Sequence, residues 1–362
     1  MRNRIAGDHL KALDGARGIA ALAVMLYHVS SAAGSGAWLS GAFLAVDFFF
    51  LLSGFVVARS YEARLRDGGM TLRSFVWTRV VRLYPLYIAA SVIGLTYFST
   101  KIVLGTPDAP TIRELAATFP GAITLLHQPN AISWGFVEFP FAPSAWSLSF
   151  EFWFTIIYAA IVPKLSTRAL SGIAIIAFAL LSQQANLVGS IDMGYDRRTL
   201  VGGVARFWFS FTLGVIIHRL GHLILQQRPL SLVLGVPAFA FVAIPHDAVG
   251  LGLAWISLVF PAALIVGAAS ECRGWTAPTL DHLGRLSYAI YILHAPIILF
   301  TFAIFKVALG DAWNSNPILL ATSTIVAALV ASAVATYLFD EPLRAYLRKR
   351  GSHRILVKVA KN

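Results

Sequence analysis

Residues 13–34 read LDGARGIAALAVMLYHVSSAAG and residues 41–57 read GAFLAVDFFFLLSGFVV, two apolar runs that carry Asp14, Arg17, His28 and Asp47 within them or at their rims. Charge at membrane depth costs roughly 2.5–3.5 kcal/mol per group on insertion scales, so such residues face a protein interior or a watery cavity. Arg17 and His28 are eleven residues apart, close to three helical turns, and Asp14 lies one turn below Arg17. A helix therefore puts Asp14, Arg17 and His28 on one face, with His28 about 16 Å deeper than Arg17. Gly18 and Ala21 between them leave room for another helix or a ligand. Structural readings stand beside the functional one: Arg17 can snorkel to the interface, and His28 can hydrogen-bond a neighbouring helix.

The remaining composition agrees with a membrane protein. The chain has 362 residues, 57% hydrophobic and 13% charged, with a mean hydropathy of +0.72. Its net charge of +12 would suit nucleic acid, but the basic residues fall mostly in alternate loops, as the positive-inside rule requires. The single cysteine, Cys272, excludes an intramolecular disulfide. The basic N-terminus leads into a run followed directly by another span, so it reads as a retained first helix rather than a cleaved signal.

Runs long enough to span a bilayer fall at about 15–35, 41–60, 83–101, 144–163, 170–188, 203–220, 229–246, 250–270, 284–306 and 317–338. The expected fold is an all-α, polytopic bundle of about ten spans with both termini cytoplasmic, the transmembrane domain covering 1–343 and a basic tail 344–362 lying along the cytoplasmic surface. The loop from Arg59 to Arg82 is rich in arginine and ends in WTRVVRLYPLYI, where Arg79 and Arg82 form a fork suited to phosphate or, more plainly, an anchor among anionic headgroups. The long loop 102–143 includes TIRELAATF, which predicts a short amphipathic helix before Pro120 and a lid over the outer mouth. In PSAWSLSFEFWFTIIY (143–158), Ser144 caps a helix that carries Ser147 and Glu151 on one face. Glu151 is expected either in the chemistry or paired with an arginine such as Arg206. His294 lines a channel or bonds to backbone. No Walker or Rossmann glycine pattern occurs.

Five strings in order, LDGARGIAALAVMLYHV (13–29), VDFFFLLSGFVV (46–57), RVVRLYPLY (79–87), WSLSFEFWF (146–154) and LSYAIYILHAP (286–296), resemble the acyltransferase-3 family of integral membrane acyltransferases. The resemblance covers nearly the whole chain. It is to the single-domain members that decorate exopolysaccharide, lipopolysaccharide or Nod factors, without the extra span and SGNH-type domain of some relatives. It implies transfer of an acetyl or other short acyl group from cytoplasmic acyl-CoA to a hydroxyl of an extracytoplasmic glycan, in the bacterial inner membrane. Acetyl-CoA is then a donor substrate, with no permanently bound cofactor or metal and no nucleic acid among the partners, which are acyl-CoA, a glycan or lipid-linked saccharide, and membrane lipids.

On this resemblance His28 is the catalytic imidazole, acting as a base or taking the acyl group itself. Arg17, Glu151, Asp47 and Asp14 join it in the catalytic set, with Glu151 or Asp47 orienting the ring or binding sugar hydroxyls and Arg17 stabilising the oxyanion or the donor. Arg79, Arg82 and Tyr84 are expected to hold the donor, and Trp146, Ser149, His294 and Arg206 the acceptor. The competing reading is a transporter or channel that uses the same charges as a pathway, although no internal repeat is evident.

Overall fold

The computed structural model describes residues 11–36, 38–127, 138–221, 244–245, 247–270, 272, 276–313 and 315–359, with backbone only at 311 and 351–359. Among these residues the regular structure is entirely helical. The α-helices of six residues or more are α1 Lys11–Ala32, α2 Ala45–Val57, α3 Leu72–Val103, α4 Ile112–Thr124, α5 Ala145–Ile161, α6 Thr167–Val188, α7 Leu200–Arg219, α8 Val249–Ala254, α9 Phe260–Ala268, α10 Thr276–Leu309, α11 Pro317–Val334 and α12 Glu341–Val359, with α2 continued by a π turn, Ala58–Glu62, and a short helix, Ala63–Arg66. One π turn, Trp255–Val259, joins α8 to α9, and another, Ala335–Asp340, joins α11 to α12.

Nine helices among the described residues are long and apolar enough to cross a membrane. They coincide with nine of the ten expected spans; the other, 229–246, lies outside the described residues except for Ile244 and Pro245. Boundaries differ where a cap outweighs hydropathy. The side chain of Thr71 accepts from the Ser74 N–H and starts α3 at Leu72 rather than near 83, so Arg79 and Arg82 lie inside the helix. A Thr111–Glu114 capping box starts α4, which passes through Pro120 and ends at Leu125 in the left-handed conformation (φ 54°). The C-terminal helix, Glu341–Val359, crosses residue 343 without a break.

Small residues set the packing. A Cβ added to Gly18 would lie 2.7 Å from the Leu283 carbonyl oxygen, so the gap predicted beside Gly18 is filled by α10. A Cβ at Gly54 would fall 2.0 Å from the Phe211 oxygen, which fixes the close crossing of α2 and α7. With little apolar driving force between helices in lipid, such approaches let dispersion and hydrogen bonds associate them. Two buried clusters result. One joins α1 and α2 to α6, α9, α10 and α11; the other joins α2 to α3, α5 and α7.

Candidate functional site

His28 is exposed on an otherwise buried stretch of α1, with Met25, Val29 and Ser30 all buried. Its ring stacks on His294 of α10, centroids 5.2 Å apart and planes 18° from parallel. His294 is itself 1% exposed. Its Nδ1 lies 3.1 Å from the Ile290 carbonyl and its Nε2 3.3 Å from the Ser144 hydroxyl. In the neutral tautomer this satisfies, Nδ1–H donates to Ile290 and Nε2 accepts from Ser144. Ser147 and the Tyr291 hydroxyl, 2.6 Å apart, continue the polar seam between α5 and α10.

Arg17 and Asp14 stand at the other end of α1. Arg17 Nε donates to Ser287 Oγ and an Nη donates to the Gly284 carbonyl, each at 2.8 Å, with Asp14 3.2 Å away. They line a cavity of about 320 Å³ with Arg82, Arg285, Arg344 and Arg348. Five arginines face four carboxylates there, those of Asp14, Asp281, Asp340 and Glu341. Arg285 holds Glu341 with two bonds, 2.8 and 2.6 Å, and Arg344 lies 2.9 Å from Asp340. Arg82 has no direct hydrogen bond or salt bridge among the described residues; Arg17, Arg79 and Arg344 lie within coulombic reach of it, and so do the carboxylates of Glu151 and Asp340. A guanidinium whose donors no carboxylate engages directly, in a cavity lined by five arginines and four acids, can still take an anion.

Several expected roles change. Arg79 does not fork with Arg82: it is buried, bonds to Glu151 at 2.5 Å, and is absent from the cavity lining. Tyr84 is absent from it too, and packs edge-on against Phe152 and Tyr87. Glu151 thus pairs with Arg79, and with Ser53 at 3.1 Å, rather than with Arg206. Arg206, entirely buried, bonds twice to Asp47 at 3.2 and 2.7 Å, and reaches the carbonyls of Met193 at 2.8 Å and Phe43 at 3.0 Å. A bidentate pair with its other donors satisfied tolerates complete burial. Arg206 therefore has no exposed atom with which to hold an acceptor, and Asp47 and Glu151 are engaged away from His28. Arg17, three turns from His28, cannot serve an oxyanion formed there.

At the end of the bundle away from this cavity, Trp146 lies over the Arg206 guanidinium, 5.7 Å from ring centroid to carbon. Ser149 Oγ is 3.0 Å from His127 Nδ1, and His127 stacks on Phe150 with Nε2 3.6 Å from Glu138. Burial pushes the Glu138 carboxyl up to about 7, helped by Asp196, and pushes the His127 imidazole down to about 4. Ser149 and Trp146 are both buried, so neither presents a surface to an acceptor.

The sequence reading missed Arg285, Arg344 and Arg348 as cavity walls. Arg344 and Arg348 share a helical face by their spacing, but a surface tail reads the same way. It also passed over the 189–199 loop. Asp192 lies within coulombic reach of His28, Tyr27 and Tyr195.

The geometry is that of a polytopic helical membrane protein with an imidazole site three helical turns from an arginine-lined pocket. Comparison places it more narrowly: the chain belongs to the acyltransferase domain family, which it matches over residues 10–337. It is 36% identical over 154 residues to "Protein 2 in picA locus" of Rhizobium radiobacter, covering 41% of this chain and 79% of the relative. It is 26% identical over 318 residues to a candidate O-acetyltransferase of Staphylococcus aureus, covering 81% of this chain and 51% of the relative. It is likewise 26% identical over 306 residues to a candidate membrane-bound transacylase of Komagataeibacter xylinus, covering 78% and 72%. The chain thus spans about half the length of the staphylococcal relative. No solved structure matches it. The family match sets the transport reading aside.

Proposed function

We propose that this chain is an O-acyltransferase of the bacterial inner membrane, moving an acetyl or other short acyl group from cytoplasmic acyl-CoA to a hydroxyl of an extracytoplasmic glycan. The observation that carries the donor assignment is Arg82, an arginine with no direct salt bridge among the described residues, in a cavity lined by four more arginines and four carboxylates. Phosphates of CoA suit that pocket chemically, and the positive-inside rule puts it on the cytoplasmic side, with both termini. An extended pantetheine arm is comparable with the Arg17 to His28 rise of about 16 Å, so the thioester of a donor anchored there comes level with the imidazole.

His28, stacked on the His294 ring, takes the proton of the acceptor hydroxyl while that oxygen attacks the thioester carbonyl. The tetrahedral adduct collapses with breakage of the carbon–sulfur bond. The leaving thiolate then takes the proton back from His28, and ester and CoA depart. The acetyl donor and the O-acetyltransferase name of the staphylococcal relative agree.

The test is release of CoA from radiolabelled acetyl-CoA by the purified chain. Arg82→Ala should raise KM for acetyl-CoA about tenfold or more, the loss of one charge-assisted contact. An unchanged KM would remove the donor from this cavity.

A further inference from the structure

On the reading just given, we propose that the 189–199 loop is the acceptor subsite, in which Asp192 and Tyr195 hold a polyhydroxylated, saccharide-like acceptor with one hydroxyl against His28. The loop is built to present these side chains. Ile191 and Met193 are buried, 1% and 0% exposed, while Asp192 between them keeps 21% of its side chain open and Tyr195 is 38% exposed. Ile191 and Met193 thus anchor the loop on either side of Asp192, whose carboxylate sits at the edge of the buried Arg206 guanidinium and stays partly open.

The backbone around it is fixed. The Met193 carbonyl accepts from Arg206, and Asp192 lies 3.7 Å from the same guanidinium. Gly194, at φ 107°, fits so closely that an added Cβ would lie 2.6 Å from Gly203 and 2.8 Å from the Trp146 ring. Asp196 receives both the N–H and the hydroxyl of Thr199, and that hydroxyl accepts from the Gly194 N–H at 3.0 Å. Thus Arg206, which touches no solvent, acts through the loop it holds.

What the loop faces decides the ligand. Asp192 lies within coulombic reach of His28, Tyr27 and Tyr195, and the Tyr27 ring stands edge-on to His28 at 5.1 Å. A carboxylate accepts from two neighbouring hydroxyls, and exposed phenol rings offer flat apolar faces with a polar tip. A few such groups converging beside the His28 ring select a sugar-like alcohol over water. They also turn one hydroxyl toward the imidazole.

The experiment complements a strain lacking the gene with the full chain and measures base-labile acetate on its envelope saccharides, alongside the affinity of each purified variant for CoA. Asp192→Asn and Tyr195→Ala should each lower saccharide acetate at least tenfold at equal protein level, with CoA affinity within twofold of the parent chain. Asp192→Glu should recover part of the acetate. Tyr195 is exposed, so its replacement tests the subsite even where Asp192→Asn fails to fold. Acetate within twofold of the parent chain in both variants overturns the proposal, and so does loss of CoA affinity in step with acetate. A deletion strain whose acetate is unchanged would instead remove the glycan acceptor, and the subsite with it.

Discussion

The imidazoles of His28 and His294 stack across α1 and α10, and only one of them is open: His28 is exposed, while His294 is buried and tied to Ile290 and Ser144. The buried ring therefore sets where the open one sits. His294→Ala should lower kcat about tenfold to a hundredfold while leaving KM for acetyl-CoA nearly unchanged, because the pocket proposed for the donor lies elsewhere. Ser144→Ala, which removes one bond to His294, should cost less, within about tenfold of normal. A change confined to KM would show that His294 touches the donor instead.

Arg79 and Arg82 look equivalent in sequence and should behave in opposite ways. Arg79→Ala removes the cation bonded directly to Glu151 and should destabilise the fold by about 3–5 kcal/mol, seen as lost expression or a lower Tm. Arg82→Ala should keep Tm within a few degrees and weaken CoA binding, with a shallower salt dependence. Removal of the CoA 3′-phosphate should mimic part of the Arg82→Ala effect. The reverse pattern, CoA affinity following Arg79, would restore the fork expected from sequence.

Asp47 and Arg206 form the corresponding pair at the far end, both completely buried. Asp47→Asn should reduce stability by about 3–5 kcal/mol, since the guanidinium stays buried with its charge uncompensated. Asp47→Leu with Arg206→Met should recover much of the Tm. A double variant no better than Asp47→Asn would mean that the Arg206 contacts to the Phe43 and Met193 carbonyls outweigh the charge pair.

The pair Glu138 and His127 makes stability depend on pH. Glu138 holds its proton more tightly folded than unfolded, so its contribution is complete below its ordinary value of 4.5 and is lost as pH rises to about 7. His127 runs the other way: its contribution is present above 6.5 and is lost as pH falls to about 4. The two oppose between about 4.5 and 6.5, and above that Glu138 acts alone. Glu138→Gln should therefore raise Tm more at pH 8 than at pH 5, by the equivalent of at most about 3 kcal/mol. A difference that does not vary with pH would place the carboxyl in contact with water or a cation.

Hydropathy made the nine described spans legible, and the eleven-residue spacing did bring Arg17 and His28 onto the face of α1 that meets α10. Pairing was not legible. Which carboxylate meets which arginine depends on the order of helices in space, so the sequence offers Arg206 as one partner for Glu151 where α3 brings Arg79 to it. Arg344 and Arg348 failed for a related reason: a continuous helix past residue 343 brings them back over the cavity, whereas their basic surroundings read as a surface tail. Asp192 has no periodic neighbours at all, and a loop carboxylate declares itself only through what the fold puts opposite it.

The most direct measurement is CoA release from labelled acetyl-CoA by purified parent chain and His28→Ala, both shown folded by the same Tm. The account predicts turnover by the parent chain and a loss of at least a hundredfold in kcat for the variant, with CoA still bound. Equal turnover by the two proteins would contradict it.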